Sequence, residues 1–174
     1  MSTVSESSED LQLLLAQNQL LVQMLTRVGY AVWQAAECED TLAHYVILRL
    51  RASKGIGERE GLDLLAKAQS RTFGHTLREL KDASVLSPAI EARLSKLVDD
   101  RNWLVHRAKR ENRGVLNDLT RFDQLVARID GIASEALELH KELAAELEEF
   151  AVQAGVDRRE IDIEAANLSA AWGY

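Results

Sequence analysis

Apolar side chains recur every three or four residues along most of the chain, which is the spacing of amphipathic helices and not of strands. One such run covers residues 11–27 and another covers residues 30–52. Gly29 lies between them, either as a separator or inside one long helix, and we expect a break or kink there. Ser7 or Ser8 is placed to cap the first helix.

Turn residues divide the middle of the chain. Residues 53–57 read Ser-Lys-Gly-Ile-Gly and predict a loop. Two shorter helices are expected over residues 61–71 and 75–83. Ser87 followed by Pro88 is the sharpest helix start, because serine caps a helix and proline suits its first position.

The helix that begins at Pro88 should run to about Asn112, with Gly114 closing it. A last long helix is expected over residues 116–154, ended by Gly155. The domain predictions are a disordered lead-in over residues 1–7, a helical bundle over 8–154 and an extension over 155–174 that forms a short docking helix. The fold class is an all-α, up-and-down bundle of four to five helices.

The composition suits one globular domain. The 174 residues are 47% hydrophobic and 28% charged, with a single proline and a single cysteine, Cys38. Cys38 excludes an intramolecular disulfide and is expected to be buried and inert. Because the start of the chain is acidic and no apolar run is long enough to cross a bilayer, we expect a cytoplasmic protein without a membrane segment.

Charge and residue spacing narrow the possible functions. A net charge of −7 argues against a protein that coats nucleic acid through bulk electrostatics, so any nucleic-acid site must be local. None of the four histidines has a glutamate three positions before it, which disfavours a di-metal carboxylate bundle. We expect neither a metal nor another cofactor.

The helix that begins at Pro88 carries the main chemical signal. Two of its apolar rows each meet a polar residue, Arg101 in one and Asn102 in the other. The rows are Ile90, Leu94, Leu97, Arg101, Leu104 and Ala108, and Leu94, Val98, Asn102 and Val105. Since an unpartnered buried arginine is costly, Arg101 points into a cleft, pairs with an acid such as Glu37 or Glu39, or faces a second copy of itself.

His106 lies one turn beyond Asn102, about 40° around an ideal helix. Histidine exchanges protons near neutral pH, arginine holds a phosphate and its transition-state charge, and asparagine orients either group. Together these residue types suffice for phosphodiester transesterification without a metal.

The stretch Asp99-Asp100-Arg101-Asn102-Trp103-Leu104-Val105-His106-Arg107 resembles the signature of the HEPN superfamily. These helical-bundle proteins carry an arginine, four to six residues, then a histidine, often with a polar residue directly after the arginine. The resemblance implies a homodimer with apposed motif helices that cleaves RNA and leaves a 2′,3′-cyclic phosphate. It also implies that Arg101 and His106 are catalytic and Asn102 supporting.

A basic cluster follows the motif. Residues 101–113 contain five basic residues and one acid, Glu111, whereas residues 115–174 carry thirteen acids and five basic residues. The cluster is predicted to grip RNA phosphates, or to be a solvated helix end that offsets the helix dipole. The proposed RNA-binding residues are Arg107, Lys109, Arg110 and Arg113.

Other candidate residues have plainer interpretations. Trp103 is expected to pack in the bundle, and His140 to be a hydrogen-bonded histidine between helices. The acids Glu37, Glu39 and Asp40 form a solvated face, or else they pair with Arg101 or assist the chemistry.

The resulting hypothesis is a HEPN-type endoribonuclease in a toxin–antitoxin, defence or stress setting. The alternatives are a non-catalytic bundle that binds RNA or a partner such as an antitoxin or nucleotidyltransferase, and a purely structural adaptor.

Overall fold

The computed structural model describes residues 3–51 and 57–171, with side chains for 10–51, 57–167 and 170. Regular structure over these residues is entirely helical, which confirms the all-α bundle. The helices are α1 (Thr3–Val46), α2 (Glu58–Gln69), α3 (Phe73–Asp82), α4 (Pro88–His106), α5 (Ala108–Glu111), α6 (Leu119–Gln153) and α7 (Arg158–Ala171). A π-helical turn (Ile47–Arg51) follows α1, and a 3₁₀ turn (Val115–Asn117) precedes α6.

Helix α1 is one continuous element of 44 residues, about 66 Å long. The predicted break at Gly29 is therefore wrong. Glycine costs a helix roughly 1 kcal/mol relative to alanine, and here Val28 and Ala31 on either side of it pack into the core. The helix begins at Thr3, earlier than a cap at Ser7 or Ser8 would place it. The predicted loop over residues 53–57 lies outside the described residues except for Gly57.

Helices α1 and α6 run parallel and form the centre of the bundle. Four side-chain hydrogen bonds follow them in the same chain order: Gln17 to Asn117, Arg27 to Asp130, Thr41 with His140, and Tyr45 to Glu146. Because α6 begins only beside Gln17, the earlier turns of α1 project beyond the end of α6.

Helix α4 crosses α6 in the opposite direction. Arg93, near the start of α4, bonds Glu135 and Glu142, whereas Asp100, later in α4, pairs with Arg128 from earlier in α6. Helices α1, α4 and α6 contribute the fully buried part of the core, whose members include Cys38, Leu42, Leu94, Leu97, Leu139 and Leu143.

The helix ends follow the predicted chemistry, with one difference. The Ser87 hydroxyl accepts a hydrogen bond from the Ile90 N–H, as predicted. Gly114 has the left-handed conformation, with a φ of +76°, but it precedes the 3₁₀ turn and does not close α4. However, α4 ends at His106 and not near Asn112, because the backbone leaves helical geometry at Arg107 and α5 forms a separate turn.

The C-terminal extension forms a helix, α7, as predicted. Its contact with the bundle is slight. Among its described side chains only Ile161 is half-buried, and Arg158 pairs with Glu148 of α6.

Candidate functional site

The C-terminal half of α4 carries the motif, and its apolar row is buried as predicted. Leu97 and Leu104, one turn before and after Arg101, are 1% and 4% exposed. The side chain of Arg101 is 36% exposed. Arg101 therefore sits at the rim of the core, where its stem packs and its guanidinium reaches water.

Arg101 is held by an acid of α1. Its Nη2 lies 3.9 Å from Oε2 of Glu39, and its Nη1 lies 3.5 Å from Oδ1 of Asn102. Burial raises the pKa of Glu39 above its ordinary value, while the Arg101 charge and the backbone N–H of Phe73 oppose that rise. Of the three placements considered for Arg101, the structure shows pairing with Glu39.

Glu39 pairs with an arginine of a second helix and lies near the start of a third. It belongs to α1, its partner Arg101 to α4, and the N–H of Phe73 to the first turn of α3. The interpretation of this acidic segment as a solvated face is wrong for Glu39, though it holds for the exposed Asp40. Sequence spacing alone offered three acids and no means of choosing between them.

The second row of α4, which contains Asn102, was expected to be apolar and buried around that residue, and the structure differs. Val98 is half-buried, but Asn102 is exposed and Val105 is 48% exposed, so this row leaves the core at the motif. Asn102 therefore does not interrupt a buried surface; it lies on an open face of α4 together with Val105 and His106.

Within the described residues, one chain brings together only part of the motif. Arg101 contacts Asn102, but no hydrogen bond or ion pair joins either of them to His106. The His106 side chain is exposed on the last turn of α4. Arg101 and His106 project about 140° apart around an ideal helix, and Arg101 is paired with Glu39, so an arrangement in which both act on one phosphate needs a rearranged arginine or a second chain.

Trp103 packs in the bundle, as predicted, and is 3% exposed. Its indole Nε1 donates a hydrogen bond of 2.7 Å to Glu111 of α5. The guanidinium carbon of Arg128 lies 3.4 Å from the centre of the Trp103 ring, and Arg128 also pairs with Asp100 at 3.6 Å. Trp103 thus links α4, α5 and α6 and does not offer its ring to a base. Sequence reasoning missed Arg128, which no motif marks.

The basic cluster is at the surface. Its four predicted RNA-binding residues are all exposed, and within the described chain none of them forms an ion pair: Arg107, Lys109, Arg110 and Arg113. The only acid among them, Glu111, is bonded to Trp103. With four cations and this single acid, residues 107–113 keep a net positive charge beside His106.

The remaining polar candidates are structural. Nδ1 of His140 lies 2.7 Å from the Thr41 hydroxyl, which confirms a hydrogen-bonded histidine between α1 and α6. Cys38 is fully buried, and burial raises the pKa of its thiol to about 12. Among the described side chains of residues 10–51 and 57–167, no three or more His, Cys, Asp or Glu converge in the way a metal ion requires.

Comparison with known proteins adds no assignment: no protein-family model, curated protein or solved structure matches the chain. Among the described helices, none combines the length and apolarity needed to cross a membrane.

Proposed function

We propose that this chain is a metal-independent endoribonuclease of the HEPN type, acting at the open face of α4. In this proposal His106 exchanges a proton with a ribose 2′-hydroxyl, and Arg101 stabilises phosphate charge. Asn102 orients them, and the cluster of Arg107, Lys109, Arg110 and Arg113 holds the RNA backbone.

One observation carries the proposal. His106 and Asn102 are exposed one turn apart, next in sequence to four exposed cations, and the only acid within residues 101–113, Glu111, is hydrogen-bonded to Trp103. The helix dipole alone would explain a cationic cluster at the end of α4. It does not explain why Asn102 and His106 lie exposed beside that cluster.

The chemistry is a transesterification. A base removes the 2′-hydroxyl proton, the 2′-oxygen attacks phosphorus, and the bond to the 5′-oxygen breaks as that oxygen receives a proton. The products are a 2′,3′-cyclic phosphate and a free 5′-hydroxyl. Since Arg101 and His106 project about 140° apart around α4 and Arg101 is paired with Glu39, we propose that a second copy completes the site.

The test is RNA cleavage in the presence of EDTA. Wild type is expected to yield cyclic-phosphate ends, and His106→Ala is expected to lose activity by about 10²-fold or more, the typical range for a general acid–base group. His75→Ala is the matched control, because His75 is also exposed but lies on α3. Equal rates in the His106→Ala and His75→Ala variants would exclude the role given to His106.

Arg101 also pairs with Glu39, so its catalytic role must be measured separately from its contribution to stability. Arg101→Gln should abolish cleavage while the unfolding midpoint in urea stays close to that of wild type. If Arg101→Gln instead unfolds the protein at neutral pH, its pairing with Glu39 is structural and the catalytic role fails.

For the toxin or defence setting, expression of wild type should arrest growth and His106→Ala should relieve that arrest.

The second candidate is a non-catalytic bundle that binds RNA or a partner such as an antitoxin or nucleotidyltransferase. The ion pair of Arg101 with Glu39 favours it, since that arginine already has a structural partner. RNA that is bound but never cut, with binding lost when the cationic cluster is neutralised, would select this candidate.

A further inference from the structure

A cavity of about 400 Å³ lies in the groove between α4 and α6, on the side of α4 that carries Asp100. Its volume is in the range of small-molecule sites, roughly 300–1,000 Å³. The buried Ile132 gives it an apolar wall. Its other lining residues are charged or glycine: Lys96, Asp100, Arg128, Gly131 and Glu135.

The charges that line this cavity cancel. Lys96 and Arg128 supply two positive charges, and Asp100 and Glu135 supply two negative ones. Both cations pair with Asp100, and Glu135 accepts a hydrogen bond from Arg93. The cavity therefore has no excess positive charge with which to hold a phosphate. It suits a neutral ligand with polar edges.

Arg128 presents a flat surface to the cavity. Its guanidinium carbon lies 3.4 Å from the centre of the Trp103 ring, so one face of the planar group is against the indole. The side chain is 49% exposed and lines the cavity, which leaves the opposite face open. The ion pair with Asp100 holds the guanidinium in place. Guanidinium planes of this kind are surfaces on which unpaired RNA bases stack.

Gly131 leaves one wall of the cavity without a side chain. It lies in the interior of α6, where glycine is a poorer helix former than alanine. A Cβ atom added at Gly131 would meet no heavy atom within 4 Å, so no neighbouring helix requires glycine there. Glycine does allow a ligand to approach the backbone closely. An occupant of the cavity can therefore lie directly against the backbone of α6.

We propose that this cavity, which we call the base pocket, receives one unpaired nucleobase of a bound RNA strand. The base stacks on the open face of Arg128 and lies against the backbone at Gly131. A base is flat, neutral and polar at its edges, which are the properties that the guanidinium face, the balanced charges and the bare backbone favour. The inference rests on RNA as the ligand of the proposed function.

The base pocket lies close to the cationic cluster. Asp100 and Arg107 are seven residues apart, which places them within about 20° of each other around α4 and about 10 Å apart along its axis. A strand whose phosphates are held at Arg107 needs to extend only this far to place a base on Arg128. Because His106 directly precedes Arg107, that base belongs to a nucleotide near the phosphate on which His106 acts.

The first test is affinity for a single-stranded RNA of mixed sequence with 2′-O-methyl groups, which lacks the attacking hydroxyl and stays uncut. Gly131→Leu fills the base pocket and should weaken binding roughly tenfold, within the range for loss of one stacked base. Gly29→Leu is the matched control, since it adds the same side chain at another open glycine inside a helix, α1. It should bind as wild type does. Equal affinities in the two variants overturn the proposal.

The second test separates stacking from charge and from stability. Arg128→Lys keeps a positive charge beside Asp100 but removes the planar guanidinium. It should weaken binding of the base-bearing strand and leave unchanged the binding of a strand of the same length whose residues lack bases. Arg159→Lys, at an exposed cation of α7, should change neither. Equal losses on both strands in Arg128→Lys would mean that Arg128 holds phosphate or supports the fold, and would overturn stacking.

Cleavage of ordinary RNA in EDTA is measured separately, so the two proposals can fail independently. Binding that depends on bases, without cleavage, refutes the ribonuclease and leaves the base pocket intact. Cleavage that requires His106 but is equal in Gly131→Leu and Gly29→Leu, with equal affinities, overturns the base pocket alone. A wild type that binds the base-free strand as tightly as the base-bearing one also overturns the base pocket.

Discussion

The indole Nε1 of Trp103 donates a 2.7 Å hydrogen bond to the carboxylate of Glu111, and this bond fixes α5 to the end of α4. Trp103 is almost fully buried. Glu111→Ala removes the acceptor and should lower the free energy of unfolding by about 1–3 kcal/mol, the cost of leaving a buried donor unpaired. Urea unfolding followed by tryptophan fluorescence measures it.

Glu111→Gln is the control for that substitution, because an amide oxygen still accepts the indole N–H. It should lose less than half as much stability as Glu111→Ala. Equal losses in the two variants would mean that the charge of Glu111, and not its bond to Trp103, matters for stability.

Glu39 makes the stability of the folded protein depend on pH. Burial raises the pKa of its carboxyl above the ordinary 4.5, so ionisation disfavours the folded state. Relative to Glu39→Gln, wild type should lose stability as the pH rises from below 4.5 through the folded pKa. Urea unfolding of both proteins at pH 4 and pH 7 checks this, and a wild type that gains stability relative to Glu39→Gln over that range contradicts it.

Arg101 opposes the pKa rise of Glu39. Arg101→Gln should therefore raise the pKa of the Glu39 carboxyl further, which an NMR titration of the side-chain carboxyl carbon would detect. An unchanged titration midpoint would show that the 3.9 Å separation of the two charges is too long to couple them in solution.

The cationic cluster predicts a salt dependence of RNA binding. Each phosphate contact contributes about 0.7 to the slope of log affinity against log salt for single strands. Arg110→Gln should lower the slope by roughly that amount, whereas Arg159→Gln, an exposed cation on α7, should leave it unchanged. Equal slopes in all three proteins would remove Arg110 from the RNA-binding surface.

Cys38 should be chemically silent in the native protein. Since burial raises its thiol pKa to about 12, the reactive thiolate is scarce at neutral pH. An aromatic disulfide reagent should react with Cys38 at a rate that follows the unfolded fraction across a urea series. Rapid reaction in the absence of urea would contradict the buried placement.

Most of the fold was predictable because local chemistry decides it. Ser87 and Pro88 start α4, Gly114 takes the left-handed conformation, and three- and four-residue spacing identifies the long helices. The break expected at Gly29 is absent because one glycine costs a helix little free energy compared with what the tertiary packing of its neighbours contributes. The end of α4 at His106 was missed because no residue type there signals a stop.

The site was predictable only in part. The spacing identified Arg101, Asn102 and His106, but it could not show that Asn102 faces solvent or that Glu39 is the acid that holds Arg101. Both facts depend on how α1 and α3 approach α4. Which acid of another helix pairs with Arg101 depends on how the helices pack, and the spacing of residues along the chain does not show it.

The parallel pairing of α1 with α6 also bears on how the chain is synthesised. Among the described side chains, the hydrogen bonds from α1 to α6 and to the turn before it span about a hundred residues, as from Gln17 to Asn117 and from Tyr45 to Glu146. At translation rates of roughly 5–20 residues per second, the inward face of α1 leaves the ribosome several seconds before α6 does. During that interval its leucines are open to chaperones or to a neighbouring nascent chain.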